Sequence, residues 1–423
     1  LVAKLKYYTR IRKQIKKTKW KNRFTSTSPL SKMKQTCLLL CVIILLVGVP
    51  ESFQECQLQS IGGVASYLCA SIQELEAEEN RGLFDVVIHK HKTPPSVNRK
   101  PNVKIVLIED GKDAISADTF KLLKDVQKLF LRSNAQITLP ASLLSSLPIQ
   151  ELDLRNNVVF DIENGAFTNL EGLKKLYIVD NKLSEVKYGV FNNLPIDTLG
   201  LSNNRLSFIE RDAFINMTRL RRLDLDGNRL TEFEPEILMN NPHKLEVLHL
   251  QNNLFTEIDR NTVKGLNNLK VLNFKNNKIS QISSYTFDQL LNLEELILSH
   301  NFLLELKPES FPKNGLPKLR KLHINNNRLS YLTTTVLRRL DNLRFIRITG
   351  NPWQCPCLDA ILGWLSDRAV QQKCDRDYYD GTRPICVVDA AHPNTCDYSN
   401  NQVYHQKYTE INNKSPPSPP CEL

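Results

Sequence analysis

The stretch Leu245-Glu-Val-Leu-His-Leu-Gln-Asn-Asn253 has leucine at its first, fourth and sixth positions and asparagine at its ninth. The same pattern occurs at 149–157, with isoleucine in first place, and at 220–228. In this frame asparagine recurs every 23 to 26 residues, at positions 134, 157, 181, 204, 228, 253, 277, 301, 327 and 351. A regular period of this length indicates a solenoid whose turns pack only against their neighbours.

A second column of residues supports the same frame. Ten residues after each of these asparagines up to 327 stands an apolar side chain, at Leu144, Phe167, Phe191, Phe214, Leu238, Val263, Phe287, Phe311 and Leu337. One period before Asn134 lies Asp110, which is preceded by Ile105 and Leu107 and followed ten residues later by Phe120. This segment reads as a degenerate first repeat, which brings the number of repeats to about eleven.

The physical logic of the pattern predicts the architecture. Alternation in L-x-L points two leucines inward from a short strand, and stacked strands form a parallel sheet with a covered inner face. The asparagine amide at the strand's end can satisfy backbone groups at the turn, and the aromatic column fills the convex side. Since the two end turns would each leave one face open, both ends need caps.

These residues resemble the leucine-rich repeat, specifically its 24-residue extracellular type, over roughly residues 102–353. The resemblance implies an α/β solenoid, a horseshoe with a concave parallel β-sheet. The opening Asn351-Pro-Trp-Gln-Cys-Pro-Cys357 is similar to the cysteine-rich C-terminal flanking domain of extracellular members such as Slit, Toll and chondroadherin. The segment from Tyr378 to Cys386 resembles arthropod secreted members.

The ten cysteines cluster toward the two ends of the chain. Cys355 and Cys357 are too close in sequence to bond each other comfortably, and the family pattern favours Cys386 and Cys396 as their partners. Cys374 does not fit that four-cysteine pattern, and Cys421 either pairs with it or forms a bridge to a second chain, giving a disulfide-linked dimer. The spacing is poor for a zinc site, so we expect no metal.

The N-terminal cysteines point to a second cap. Cys56 and Cys69 are predicted to form one bridge over the N-terminal edge. This departs from the usual four-cysteine N-terminal flank of the family.

The net charge of +11 lies almost wholly at one end. Residues 1–34 hold 12 basic side chains and no acidic one, which leaves 44 basic against 45 acidic groups, or −1, for the rest of the chain. A near-neutral remainder argues against nucleic acid as the partner. Met33 and the apolar run 37–49 read as a secretory signal peptide, with residues 1–32 as upstream sequence outside the natural product.

A rival interpretation keeps the first 50 residues intact, with residues 37–49 as a signal anchor and a cytosolic basic tail before it. The apolar run has 13 residues. As a helix it would span about 20 Å, against about 30 Å of bilayer hydrocarbon, which favours the signal peptide. We therefore divide the chain into an upstream segment (1–32), a signal peptide (33–52), an N-terminal cap (53–101), the repeats (102–353), a C-terminal cap (354–397) and a flexible proline-rich tail (398–423).

No catalytic motif stands out: the sequence contains neither H-E-x-x-H nor G-x-S-x-G, and no phosphate-binding glycine loop, so we expect a protein that is not an enzyme and needs no cofactor. The repeat instead leaves free the side chains four residues before each asparagine, which should line the concave face. This column runs Val106, Phe130, Asp153, Tyr177, Gly200, Asp224, His249, Asn273, Ile297, His323 and Arg347.

Mixed aromatic and charged side chains in such a column suit protein recognition better than polyanion binding. The candidate partner-binding residues are Phe130, Asp153, Tyr177, Asp224, His249, His323 and Arg347, with the site centred on Tyr177 and His249. The tripeptides at Asn216 and Asn413 are candidate glycosylation sites. The sequence thus predicts a secreted or cell-surface-associated protein that binds an extracellular protein or glycoprotein, with a membrane-tethered receptor-like protein as the alternative.

Overall fold

The computed structural model describes residues 57–61, 64–69, 105–109, 126–132, 139–238, 244–372, 386–388, 396 and 401–414. It confirms the predicted solenoid, with about nine complete turns and a parallel sheet along one side. The strands are β1 (Gln57–Ile61), β2 (Val64–Cys69), β3 (Ile105–Glu109), β4 (Lys128–Arg132), β5 (Glu151–Asp153), β6 (Lys175–Tyr177), β7 (Glu185–Val186), β8 (Thr198–Gly200), β9 (Phe208–Ile209), β10 (Arg222–Asp224), β11 (Val247–His249), β12 (Glu257–Ile258), β13 (Val271–Asn273), β14 (Gln281–Ile282), β15 (Glu295–Ile297), β16 (Lys321–His323), β17 (Phe345–Arg347), β18 (Trp353–Gln354) and β19 (Cys386–Val387).

Thirteen of these strands form one sheet in the order β1-β2-β3-β4-β5-β6-β8-β10-β11-β13-β15-β16-β17. Neighbours pair in parallel, except that β1 pairs antiparallel with β2 at the N-terminal edge. The other strands make two-stranded ladders, β7 with β9, β12 with β14 and β18 with β19. The first two of these ladders lie later in each turn than the main sheet.

The core is built from the predicted columns. In each described turn the two L-x-L leucine positions are buried, for example Leu223 and Leu225. The convex column packs ring on ring, since the centroids of Phe167 and Phe191 lie 5.8 Å apart and those of Phe191 and Phe214 lie 5.6 Å apart.

The asparagine ladder satisfies the backbone as the pattern predicts. Asn277 donates from Nδ2 to the carbonyls of Leu250 and Phe274 at 3.0 Å each, and its Oδ1 accepts from the Phe255 N–H at 3.1 Å. The equivalent amides from Asn157 to Asn351 are buried in the same way. Each turn is thereby tied to the previous one through groups that water cannot reach.

The helical elements lie on the convex side and in the C-terminal cap. They are α1 (Thr334–Arg339), α2 (Cys355–Asp367) and α3 (Asn401–Lys414), with short 3₁₀ turns at Pro235–Leu238, Asn261–Val263 and Pro308–Ser310. None of the described helices is both long and apolar enough to cross a membrane. The apolar run 37–49 lies outside the described residues.

The C-terminal disulfides follow the expected pairing. Cys355 bonds to Cys386 and Cys357 bonds to Cys396, with Cα atoms 4.7 Å and 4.9 Å apart. These bridges fix α2 against the end of the solenoid, where Trp353 is buried and donates from Nε1 to the Ile348 carbonyl at 2.8 Å. The structure does not describe the side chains of Cys56, Cys69, Cys374 and Cys421. The two bridges considered for them, Cys56–Cys69 and Cys374–Cys421, therefore stay predictions.

The structure differs from the expected flexible tail at residues 401–414, which form α3. The reason is a pair of aromatic side chains one helical turn apart, because Tyr404 and Tyr408 are both buried and pack with Val387 of β19. The proline-rich end of the tail, 415–423, lies outside the described residues.

Candidate functional site

The register of the main sheet aligns the predicted column along the concave face. Phe130 pairs with Asp153, Asp153 with Tyr177, and Tyr177 with Gly200. The same register continues through Asp224, His249, Asn273, Ile297, His323 and Arg347. At the N-terminal end the expected register is wrong by one residue: Leu107, and not Val106, pairs with Phe130. The first repeat is degenerate, so counting back one period misplaced it.

Asp153 orders its neighbour Arg155 on this face. The Asp153 side chain is fully buried, and its carboxylate accepts from Arg155 Nε, which lies 3.0 Å from both oxygens, and from the Arg155 backbone N–H at 3.0 Å. The guanidinium carbon of Arg155 lies 4.8 Å from the centroid of the Tyr177 ring. Asp153 therefore holds Arg155 over the aromatic ring and exposes no contact area of its own.

Tyr177 lies between this guanidinium and a glycine. A Cβ atom built on Gly200 would be 2.8 Å from Tyr177 Cδ1, so the ring occupies space that only glycine leaves open. Burial and the nearby Glu151 carboxylate raise the pKa of Tyr177 above 10.0. The half-buried phenol is thus neutral at physiological pH, with Arg155 over its ring and Gly200 beside the ring.

A second group centres on Asp224, beside His249 and Arg222. Arg222 Nε donates to Asp224 Oδ2 at 2.8 Å, and His249 Nδ1 lies 3.0 Å from Asp224 Oδ1. Burial alone would raise the pKa of Asp224, but the contacts with His249 and Arg222 outweigh it and lower the pKa. Asp224 Oδ1 has no well-aligned hydrogen-bond donor among the described residues, so its approach to His249 Nδ1 is a close contact and not a directional hydrogen bond.

The same group is the place where described residues could hold a metal ion. Ligand atoms of Asp224, Asp226 and His249 lie within 4.8 Å of one another. However, Arg222 Nη2 lies 3.2 Å from His249 Nδ1, and Ser202 Oγ donates to Asp226 Oδ1 at 2.5 Å. A guanidinium already neutralises this cluster, and a divalent cation would have to displace it. The arrangement therefore favours an ion network over a metal centre.

His323 belongs to a third group near the C-terminal end of the sheet. It is 4% exposed, and its Nε2 lies 3.1 Å from Glu295 Oε1 on the neighbouring strand. The hydrogen bond from His323 is the largest cause that lowers the pKa of Glu295, and Lys321 adds to it. The His323 ring also lies 5.2 Å from the Phe345 ring, over which Arg347 extends at 5.6 Å. His323 is thus buried and connects Glu295 with Phe345 on the concave face, whereas Arg347 is partly exposed.

Sequence reasoning missed the roles of Glu295 and Gly200. Glu295 stands two residues before Ile297 in its strand. Its hydrogen bond with His323 is therefore a diagonal contact between neighbouring turns, which the column alone does not reveal. The sequence shows a glycine at position 200 of the column. It does not show that the Tyr177 ring occupies the space beside this glycine.

The candidate glycosylation sites occupy different settings. Asn216 is exposed in a convex turn, where its Nδ2 donates to Asn193 Oδ1 at 2.9 Å. Asn413 is exposed near the C-terminal end of α3, and Ser415 of its tripeptide lies outside the described residues.

Comparison with known proteins agrees with the geometry. Residues 148–196, 196–243, 243–303 and 291–352 match the family described as leucine rich repeat. Chondroadherin from Mus musculus is 37% identical over 57 residues, which cover 13% of this chain and 15% of that protein. Chondroadherin from Rattus norvegicus is 40% identical over 52 residues, or 12% of this chain and 14% of that protein. The chain thus matches only a small part of these relatives.

A solved structure extends the comparison in three dimensions. The mouse RP105/MD-1 complex contains a chain similar to this one, with a TM-score of 0.56 and 22% identity, over 70% of this chain and 50% of that one. At this identity the likeness concerns the fold.

Proposed function

Residues 148–352 are leucine-rich repeats that fold as a horseshoe, and from this premise we propose that the chain binds an extracellular protein or glycoprotein through its concave face. The observation that carries the proposal is the fixed row Arg155, Tyr177 and Gly200. An aromatic ring held between a guanidinium and the sheet loses little conformational entropy on binding, which is the property of interface hot spots.

The charge pattern beside the row favours a mixed, protein-like partner. Arg155 and Arg222 are partly exposed cations, while the carboxylates of Asp153 and Asp224 that pair with them are buried. A partner would meet guanidinium groups and a neutral phenol first, with His249 at 20% side-chain exposure beside them. Phe130, His323 and Arg347 extend the same face toward its ends. The RP105/MD-1 structure is a complex, which supports a protein partner here.

We also propose that the protein acts outside the cell, either secreted or held at its surface. Two disulfides among the described residues support an oxidising compartment. The signal peptide, the N-glycans at Asn216 and Asn413, and membership among arthropod secreted proteins remain predictions from the sequence. Amino-terminal sequencing of the product and membrane fractionation distinguish a secreted chain from one tethered through residues 37–49.

The concave-face proposal is tested by comparative capture. A tagged chain is incubated with extracellular fluid in three forms: wild type, Tyr177→Ala, and Tyr285→Ala as the matched control, because Tyr285 is 57% exposed on the convex side. We expect a partner that is retained by the wild type and the control but lost on Tyr177→Ala. A partner retained equally by all three forms would remove the site from the concave face.

A further inference from the structure

A break in the convex ladders creates a cavity between two successive turns. Strand β7 pairs with β9, and β12 pairs with β14, but residues 231–234 between these ladders form no strand. Within the described chain, backbone hydrogen bonds join Arg229 to Leu206, and none joins 231–234 to the preceding turn. Pro235 follows this segment, where it restricts the preceding Glu234 to an extended conformation and begins a 3₁₀ turn.

The cavity left by this break has an apolar floor. Its volume is about 170 Å³, and it is lined by Leu230, Phe233, Ile209 and Phe208 together with polar rim residues. Leu230 and Phe233 are buried, whereas Phe208 is 52% exposed at the edge. Small-molecule sites have volumes of roughly 300–1,000 Å³. A cavity of this size is suited to a single long side chain and not to a whole metabolite.

The rim of the cavity is negatively charged. Glu232, Glu234 and Glu236 are all exposed there, and Arg211 is the cation among the lining residues. Lys264 Nζ lies 2.8 Å from Glu236 Oε1 and neutralises that carboxylate. Glu232 and Glu234 make no ion pair with any residue that the structure describes, so the three carboxylates of the rim outnumber its one cation, Arg211.

From this combination we infer that the cavity binds the side chain of an arginine in a basic segment of a partner protein, at a site separate from the concave face. An arginine has an apolar stem that fits the floor and a planar guanidinium that can contact both carboxylates and the face of Phe208. Lysine offers the same stem but only a point charge, so arginine is the better fit.

Fluorescence anisotropy with a defined probe tests the inference. The probe is fluorescein-labelled Gly-Arg-Gly-Arg-Gly, and its counterpart carries citrulline, which replaces each guanidinium by a neutral urea. The variant Glu232→Gln/Glu234→Gln should weaken binding of the arginine peptide about five- to tenfold. Phe208→Ala should weaken it about two- to fivefold with every carboxylate retained.

The matched control is Glu185→Gln/Glu257→Gln, because these exposed glutamates occupy the same repeat position as Glu232 in turns whose ladders are closed. It should change binding less than about twofold, and so should Tyr177→Ala, which keeps this inference separate from the concave-face proposal. Equal losses from both glutamine pairs would reveal diffuse charge attraction and overturn the cavity site. Equal binding of the citrulline peptide, or no binding of the arginine peptide, would overturn it as well.

Discussion

The ring of Tyr177 lies across Gly200, so closely that a Cβ at position 200 would stand 2.8 Å from Cδ1 and 3.6 Å from Cε1 of the ring. The two residues pair in register on adjacent strands, β6 and β8. The glycine therefore shapes the concave face without offering a side chain, because it decides where the tyrosine ring lies.

The first prediction follows from this contact. Gly200→Ala should displace the Tyr177 ring and destabilise the protein by about 1–3 kcal/mol, the usual penalty for forcing an extra group into a packed site. It should also weaken partner binding. Gly363→Ala is the matched control, since a Cβ at this exposed helical position meets nothing within 4 Å. That control should stabilise the protein by about 0.5–1 kcal/mol, measured by urea unfolding. Equal effects of the two alanines would disprove the steric role of Gly200.

The second prediction concerns the asparagine ladder. Asn277→Ala removes the acceptor of the buried Phe255 N–H, while the carbonyls of Leu250 and Phe274 each keep a second donor, from Asn253 and Asn301. We expect the free energy of unfolding to fall by about 2–3 kcal/mol. This is close to the cost of leaving the buried Phe255 N–H without an acceptor and removing one of the two donors from each carbonyl. The adjacent exposed Lys278→Ala should change the free energy of unfolding by less than about 0.5 kcal/mol. A cost for Asn277→Ala as small as that of the control would mean that water takes over the amide's role.

The sequence predicts those features whose cause recurs in every turn. Leu223, Phe191 and Asn277 each have the environment of their equivalents one turn away, so the period alone locates the sheet, the convex stack and the ladder. The disulfides could be predicted as well, because Cys355 and Cys357 stand in a motif whose pairing carries over from its resemblance to known flanking domains.

Each feature that the sequence does not reveal arises at one position where two neighbouring turns differ. The approach of Tyr177 to Gly200 combines a large and a small residue on neighbouring strands. The cavity beside Phe208 lies where residues 231–234 form no strand between two intact ladders, and the sequence of that segment does not indicate which neighbours remain paired. The helical spacing of Tyr404 and Tyr408 is compatible with helix α3. The polar composition around these two residues nevertheless favours a disordered tail.

The third prediction is a dependence of stability on pH. The pKa of Glu295 in the folded protein is lowered below 4.5, first by the hydrogen bond from His323. A lowered pKa means that the contribution is present above the unfolded value of about 4.5 and is lost as the pH falls through the folded value. Urea unfolding at pH 7 and at pH 3 should therefore show a smaller difference in Glu295→Gln than in the wild type. The exposed Glu257→Gln should keep the wild-type difference, and an unchanged Glu295→Gln would show that this carboxylate is not linked to folding.

The final prediction concerns the cap that closes the solenoid. Cys357 is buried in the first turn of α2 and reaches Cys396 over 39 residues, whereas Cys355 reaches Cys386 over 31. Replacing both cysteines of the 357–396 pair by alanine should cost about 3–4 kcal/mol from loop entropy, since the denatured chain gains the freedom of that closed segment. The 355–386 pair closes a loop of similar length, so its removal should cost nearly the same on this account. If the 357–396 variant is much less stable than the 355–386 variant, the excess measures packing around the buried Cys357 sulfur. If neither variant loses stability in urea unfolding, then α2 is held by Trp353, Ile361 and Leu365 in the core and the bridges do not stabilise the cap.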